Sequence, residues 1–247
     1  MGSYLTRNLF IILGIYSLFY KNNIFILFFT LITVIMVLFT MERAAFFLLI
    51  FGLTIYLFFS NFIKNKNKFF FIITLFILVF FLLKNNNHIH HRMINETKIT
   101  FFSNNKIHLF SEGHTKHYLT AYEIYKNNKI LGVGPNNFRK ECQKDQYKII
   151  DGCTTHPHNF YIQILAEVGI LGFFFIITFF IVILINLLKN IRTKSDNYNE
   201  FRLCIIISIL INFWPITTSG NFFGSSLSNI YIIPFALLML KKPYKIK

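Results

Sequence analysis

The feature that most constrains the fold is a series of long apolar blocks separated by short polar connections. A bilayer core about 30 Å thick needs roughly 20 mostly apolar residues for each helical span, and several of the blocks meet that length. The 33 Phe among 247 residues are also more apolar bulk than one soluble core requires. The sequence therefore predicts an all-α, polytopic membrane protein with about seven transmembrane helices. The blocks cover residues 5–20, 24–39, 44–63, 69–83, 160–188, 201–215 and 227–240.

The first block is short and carries Arg7. These two properties fit either a full span or a partial, interfacial helix. No small-residue cleavage pattern precedes Lys21, which argues against a cleaved signal peptide.

The Lys and Arg residues predict the orientation, because they gather in three connections. The positive-inside rule places such short basic connections in the cytoplasm, and two spans separate each cluster from the next. The N-terminus, the turn with Glu42 and Arg43, and a long polar loop are then extracytoplasmic. This gives three regions: N-terminal spans (1–83), a periplasmic loop (84–156) and C-terminal spans (157–247). The clusters are Lys64, Lys66 and Lys68; Lys189, Arg192 and Lys194; and Lys241, Lys242, Lys245 and Lys247.

The formal net charge of +15 does not indicate nucleic-acid binding. The basic residues lie between apolar blocks, and no stripe of alternating basic and aromatic residues is present. Cytoplasmic positive loops account for much of the excess charge.

Cysteine usage gives one open question. Cys142 and Cys153 share the polar loop, so they form either a disulfide, which an oxidising compartment permits, or two free thiols. Cys204 lies within an apolar block and is interpreted as a packed residue.

Two local patterns stand out in the long loop. Residues 114–126 place Leu119, Tyr122 and Tyr125 at helical spacing, which predicts a short amphipathic helix near the membrane surface. Gly132, Gly134 and Pro135 then predict a turn.

The chemistry is expected where the loop meets the fifth block. Pro157 suits the first turn of a helix, whose N-terminus favours anions such as phosphate. His158 would lie in that turn, where the positive end of the helix dipole lowers its pKa and favours the neutral imidazole that a general base needs.

A polar stripe continues along the same helix. Asn159, Gln163 and Glu167 follow at intervals of four residues and are expected to face a bundle interior or a wet cavity. Gly169 and Gly172 have the spacing of a small-residue contact that lets another helix approach closely.

Each candidate has a simpler alternative. His158 could be an ordinary interfacial residue, or His156 and His158 could ligate a metal with help from the loop. Arg43 could be a cation that reaches the interface, or a guanidinium that clamps a diphosphate. The residues that could assist are His88, His90 and His91 for a metal, and Arg139, Lys140 and Lys116 for a phosphate.

At these positions the sequence resembles the O-antigen ligase and polymerase superfamily. His158 and Asn159 are followed by nine residues and then by Gly169-Ile-Leu-Gly172, which is the family's complete hallmark. The segment from Gly132 to Phe138 is similar to the family's Gly-x-Gly-x-x-x-Phe element. Thr40-Met-Glu-Arg43-Ala-Ala-Phe46 is similar to its Gly-Glu-Arg-Ser/Thr-Ala-Phe turn, with Met41 in place of the Gly.

The resemblance implies an all-helical bundle of the GT-C-like membrane glycosyltransferase type in a bacterial inner membrane. It implies that His158 is the catalytic base and that a glycan moves from undecaprenyl diphosphate to an acceptor sugar hydroxyl with inversion, without a metal or another cofactor. Lipid A core, another lipid-linked glycan or a protein could be the acceptor, and a ligase is the first choice. The diphosphate and substrate contacts would be Arg43, Arg139, His156, Asn159, Lys116 and His117, where His114 or Lys116-His117 stands in place of a family Arg.

The resemblance covers the motifs between about residues 31 and 188, and the chain has fewer spans than the family's usual ten to twelve, like its C-terminal half. A transporter, or an inactive partner subunit, is the alternative from another class. A transporter predicts paired broken helices in two related halves, and the sequence shows no such symmetry.

Overall fold

The computed structural model describes residues 1–20, 22–103, 106–190 and 196–240. Within them the chain is almost entirely helical, with one antiparallel pair of two-residue strands, β1 (Phe102–Ser103) and β2 (Lys106–Ile107). The long helices are α1 (Gly2–Phe19), α2 (Asn23–Phe39), α3 (Arg43–Phe59), α4 (Asn65–Asn85), α7 (Glu112–Asn127), α9 (Phe160–Asn190), α10 (Asn197–Asn212) and α11 (Ser225–Leu238). The short ones are α5 (Asn87–His90), α6 (Glu96–Phe101) and α8 (Phe138–Glu141), with a π-helical turn (His91–Asn95) and a 3-10 turn (Asp145–Tyr147).

Each of the seven apolar blocks forms a helix, as predicted. Two of the described helices, α4 and α9, are long and apolar enough to cross a membrane, and α2 and α3 are shorter apolar helices. The number of seven spans and the GT-C-like arrangement stay predictions.

Contacts divide the chain into two compact units. Unit 1 comprises residues 1–96, 183–213 and 230–247, and unit 2 comprises residues 97–182 and 214–229. The sequence-based division at residues 83 and 156 stays a prediction, and the contacts group the residues differently from it.

In unit 1, α1 packs most extensively against α10. Arg7 is only 3% exposed, and its guanidinium donates a 2.7 Å hydrogen bond to the side-chain oxygen of Asn212. The guanidinium also lies 5.7 Å from the centre of the Tyr231 ring. A buried cation needs such partners, so Arg7 is an internal packing residue of the helix bundle. The choice between a full span and a partial, interfacial helix over the first block stays a prediction.

Hydrogen bonds bring several helix ends together at each end of unit 1. At one end, the backbone N–H groups of Gly2 and Ser3 donate to the Glu42 carboxylate, so the start of α1 lies beside the turn before α3. At the other end, Ser60 bonds both Lys68 and Glu200, which brings the start of α4 to the start of α10. The Tyr198 hydroxyl there donates to the carbonyl of Leu240, at the end of α11.

The predicted basic clusters lie only partly within the described residues. Lys64, Lys66 and Lys68 lie at the start of α4. Lys189 lies near the end of α9. Arg192, Lys194 and the four lysines of 241–247 lie outside the described residues, so the common location of the three clusters stays a prediction.

Unit 2 has a small core of its own. Ala121 and Ile124 of α7, Phe138 of α8, Tyr147 and Ala166 of α9 are buried together. The predicted loop helix is confirmed as α7, but Leu119 and Tyr122 are each 49% exposed. The buried face of α7 is instead the one with Tyr118, Ala121 and Ile124, so the predicted apolar stripe faces away from the core.

The defining feature of unit 2 is a break in α9 at Gly169 (φ 76°, ψ −168°). The amide of Ile170 donates to the Lys129 carbonyl, and the amides of Val133 and Gly134 donate to the carbonyls of Ala166 and Glu167. The turn predicted around Gly132 and Gly134 is confirmed, and its backbone supplies the hydrogen bonds that the broken helix lacks.

Gly169 therefore has a different role from the predicted one. A Cβ atom there would lie 2.2 Å from the carbonyl oxygen of Ile130, so the close neighbour is the loop backbone and not a second helix. At Gly172 a Cβ would meet Val168 and Ile164 of α9 itself. Gly169 thus permits loop-to-helix contact, Gly172 faces side chains of its own helix, and the predicted helix–helix contact is wrong.

Gly169→Ala should destabilise the protein strongly. Its φ and ψ fall in a region that is essentially restricted to glycine, at a cost of order 1–3 kcal/mol for other residues, and the Ile130 backbone adds a clash. Thermal unfolding of the detergent-solubilised protein would measure the change. Gly113→Ala is the matched control, because a Cβ at Gly113 meets nothing within 4 Å. Equal melting temperatures for the two variants would contradict this account.

The turn between α2 and α3 also contains strain. Met41 has φ 55°, a left-handed conformation that costs a side-chain-bearing residue roughly 1–2 kcal/mol. Glycine adopts it freely, which is a physical reason for the family's Gly at this position of the turn.

Met41→Gly should stabilise the protein by about 0.5–1 kcal/mol, since the relieved strain exceeds the extra backbone entropy of the unfolded glycine chain. Chemical denaturation of the purified protein would report the gain. Met36→Gly should instead lower stability, because Met36 is an exposed residue within α2. A loss of stability in Met41→Gly would show that the Met41 side chain contributes more than its backbone costs.

Candidate active site

The candidate site lies in unit 2, where the chain enters α9. The helix begins at Phe160, and Asn159 caps it by accepting hydrogen bonds from the amides of Tyr161 (3.0 Å) and Ile162 (3.2 Å). This is the normal role of Asn before a first helical turn. Pro157 and His158 precede the helix, so their predicted place in its first turn is wrong.

His158 has a left-handed backbone conformation (φ 61°). Its carbonyl accepts a 2.8 Å hydrogen bond from the Ser219 amide, and the Ser219 hydroxyl accepts a 2.8 Å bond from the amide of Phe160. The Asn159 side-chain amide donates to the Pro215 carbonyl at 2.7 Å. His158 and the two residues after it are thereby held by the segment 215–219.

Four imidazole rings meet at this point. The centre of the His158 ring lies 4.3 Å from that of His156, 5.5 Å from His117 and 5.6 Å from His114. His114 and His117 come from α7, and His156 from the same loop as His158. The structure thus brings three predicted site residues together, His117, His156 and His158, and adds His114.

The surroundings keep His158 neutral. Burial, and after it the proximity of His156, His114 and His117, together lower the pKa of His158 to about 4. Burial also lowers the pKa of His156. The direction agrees with the sequence-based expectation, but the cause is desolvation and neighbouring imidazoles and not the helix dipole.

α7 holds the other members of the cluster in place. Nδ1 of His117 lies 3.0 Å from the Gly152 carbonyl, and because a carbonyl only accepts, this nitrogen carries the proton. Lys116, the residue before His117, forms ion pairs with Glu112 (3.0 Å) and Asp151 (3.5 Å). Its charge is therefore already balanced by two carboxylates.

Arg139 lines an open cleft of about 570 Å³. Phe138, buried in the core of unit 2, anchors the chain just before it. Thr155, at another wall of the cleft, lies 2.9 Å from Nδ1 of His156, so the cleft adjoins the imidazole cluster. Its other lining residues are Lys140, Gln143, Cys153 and Thr154.

Cys142 and Cys153 form a disulfide bond in the structure. It closes the loop between residues 142 and 153. Cys153 and the two residues after it, Thr154 and Thr155, line the cleft. Cys204 is free and buried, as expected.

The predicted polar stripe faces the interior of unit 2. Asn159, Gln163 and Glu167 are each at most 3% exposed. The Glu167 carboxylate accepts hydrogen bonds from the amides of Phe138 (2.8 Å) and Asn136 (3.1 Å), so it fixes the turn after Gly134 to α9. The stripe is therefore a structural clamp, and Asn159 is a helix cap whose amide is engaged by the chain.

Arg43 belongs to unit 1, where it is the first residue of α3. The carboxylate of its neighbour Glu42 is directed to the start of α1 and accepts bonds from Gly2 and Ser3. This places a half-buried guanidinium at a helix N-terminus, which is a favourable environment for an anion.

Within the described ranges, no group of three or more His, Cys, Asp or Glu side chains is arranged to hold a metal ion. His88, His90 and His91 lie in α5 and the π-helical turn of unit 1. Metal independence stays a prediction.

Sequence reasoning missed Ser219 and the segment around it. The signal was the polar run Thr-Thr-Ser-Gly-Asn at 217–221, between the last two apolar blocks. In the predicted topology that run lies on the same side as the long loop, so it could have been included.

The chain matches the O-antigen ligase family over residues 28–177, which is more than half of its length. The matched region includes the Arg43 turn, the Gly132–Phe138 element and the His158–Gly172 hallmark. No curated protein and no solved structure matches the chain. The resemblance inferred from the motifs is confirmed: the chain belongs to the O-antigen ligase family, whose members are membrane proteins that transfer glycans.

Proposed function

We propose that the protein transfers a glycan from undecaprenyl diphosphate to an acceptor sugar hydroxyl on the periplasmic face of a bacterial inner membrane, as an O-antigen ligase-like enzyme. The observation that carries this proposal is the imidazole of His158, kept neutral within a cluster of histidines and located in the region that matches the family. A neutral imidazole is the form that can accept a proton.

In the proposed step, His158 takes the proton from the acceptor hydroxyl. The hydroxyl oxygen forms a bond to the anomeric carbon of the donor sugar, and the bond from that carbon to the diphosphate oxygen breaks. The diphosphate leaves with the electron pair, and the anomeric configuration is inverted. Because the donor is already activated, the proposed step needs no metal, nucleotide or other cofactor.

The remaining predicted residues contribute unequally. Arg43, at the start of α3, is proposed to neutralise the leaving diphosphate, a task that suits its planar fork of donors. Arg139 provides positive charge in the cleft beside Thr155 and His156. His156 and His117 are proposed to line the acceptor side. Lys116 is the weakest candidate, because its ammonium is already paired with Glu112 and Asp151.

The acceptor decides between ligase and polymerase. Purified protein in proteoliposomes, supplied with a lipid-linked glycan donor, can be offered lipid A core, a second lipid-linked glycan or a protein. Transfer to lipid A core supports the ligase proposal, and chain extension of the lipid-linked glycan supports the polymerase alternative. Absence of transfer in all three assays, from a correctly folded protein, would reject the enzyme.

His158→Ala should lower the transfer rate by about 10²–10⁴-fold, the typical contribution of a positioned general base. The rate in proteoliposomes and the amount of surface glycan in cells would both be measured. His90→Ala is the matched control, since His90 is an exposed histidine of unit 1. Unchanged transfer by His158→Ala at normal membrane expression would remove His158 from the reaction and favour a transporter or partner-subunit role.

The pH dependence follows from the pKa of His158. Because that pKa is lowered to about 4, the base of the free enzyme is neutral and active above it. We therefore expect kcat/KM to stay constant from pH 8 down to about 5 and to fall below that, as protonation removes the base. A fall centred near pH 6.5 would contradict the desolvated cluster.

Arg43→Lys should raise the KM for the lipid-linked donor by about tenfold or more, because Lys keeps the charge but loses the bidentate hydrogen bonds, which are worth about 1.5–3 kcal/mol each to a charged group. Arg92→Lys is the control, since Arg92 pairs with Glu96 on the surface. Donor kinetics equal to wild type in Arg43→Lys would assign Arg43 to membrane anchoring instead.

A further inference from the structure

Ser219 is bonded to the chain on both sides of Asn159, although it lies 59 residues after Phe160. Its amide donates to the His158 carbonyl, and its hydroxyl accepts from the Phe160 amide, both at 2.8 Å. Ser219 is only 7% exposed, so water does not readily replace either bond.

Each of these bonds constrains a backbone group at the entry to α9. The Phe160 amide belongs to the first turn of α9, where backbone amides have no acceptor within the helix. The His158 carbonyl belongs to a residue in the left-handed conformation, which a side-chain-bearing residue leaves unless its surroundings hold it. Ser219 supplies both constraints from a single residue.

We propose that Ser219 is a positioning residue, which fixes the direction of the His158 imidazole through these two hydrogen bonds. The inference rests on the proposed function of His158 as the base. Ser219 itself does not contact the reacting atoms in this proposal. It acts by holding the backbone from which the His158 side chain extends.

The segment that contains Ser219 is anchored independently of its hydroxyl. Pro215 accepts a bond from Asn159. The Asn221 side-chain oxygen accepts a 2.6 Å bond from Gln163, whose own side-chain oxygen accepts from the amide of Phe222. Removing the Ser219 hydroxyl therefore removes the bond to the Phe160 amide and leaves the 215–222 segment attached.

The groups that face His158 determine how its pKa would change if the imidazole were displaced. His114 and His117 approach it from α7, and His156 approaches it from its own loop. All three, together with burial, lower the pKa of His158. An imidazole that turns away from them into solvent should regain a pKa closer to that of a free histidine.

The test compares Ser219→Ala with Ser219→Thr, which keeps a hydroxyl, and with Thr218→Ala, which removes a neighbouring hydroxyl that makes neither bond. Kinetics of glycan transfer are measured in proteoliposomes. In parallel, diethyl pyrocarbonate modifies neutral imidazoles of the full-length protein, and mass spectrometry follows the labelling of His158 between pH 4 and 8. The labelling requires no substrate and no activity.

We expect Ser219→Ala to lower kcat by about 10- to 100-fold, the order of loss for a displacement of roughly 1 Å, with KM within about twofold of wild type. The midpoint of His158 labelling should rise toward pH 6.5, while Ser219→Thr and Thr218→Ala stay close to wild type. A thermal melt confirms that each variant is folded at the assay temperature.

Wild-type labelling of His158 in folded Ser219→Ala would overturn the positioning role, whatever happens to kcat. So would an equal effect of Thr218→Ala. If His158→Ala is fully active, the proposed function fails, and the labelling shift alone then decides whether Ser219 orients the imidazole. The two failures are therefore distinguishable.

Discussion

The candidate site depends on the broken helix. At Gly169 α9 loses its regular hydrogen bonds, and the backbone of residues 129–134 replaces them through Lys129, Val133 and Gly134. This pairing of loop and helix brings Phe138 and α7 against the first turns of α9, and α7 carries two of the four clustered histidines. Buried backbone groups without partners are costly, so the loop and the break require one another. The imidazole cluster forms because the hydrogen bonds between this loop and the broken helix fix α7 near His158.

The helices could be predicted from the sequence because long apolar blocks leave few alternatives. Each of the seven blocks is helical. The orientation inferred from the basic clusters stays a prediction. Arg7 was harder, since a cation in a short block fits an interfacial helix equally well. The buried environment of Arg7 depends on Asn212 and Tyr231, which lie more than 200 residues further along the chain. A local pattern contains no information about such partners.

The sequence predicted which residues belong to the site better than it predicted how they are arranged. His158 and the two Gly-containing elements follow from motif spacing, yet the spacing does not show that Gly169 is a break, because a helix and a broken helix have the same apolar periodicity. The start of α9 was placed too early because Pro157 suits a first helical turn, whereas Asn159 is the better cap. Ser219 could not be assigned from its own neighbours, since its role arises from bonds to His158 and Phe160.

A base with a pKa near 4 is weak, and a general base is most effective near the working pH. The proposed reaction needs an imidazole that is both neutral and sufficiently basic. The cluster around His158 provides only the first property, because it keeps the imidazole neutral before substrate arrives. In the proposed reaction, a bound diphosphate would bring negative charge, which would favour the protonated imidazole and raise the pKa of His158. The base strength then increases only in the complex with the donor. In an empty site, the same neighbours that lower the pKa prevent His158 from being protonated and removed from the reaction, so burial and substrate charge act at successive stages on a single group.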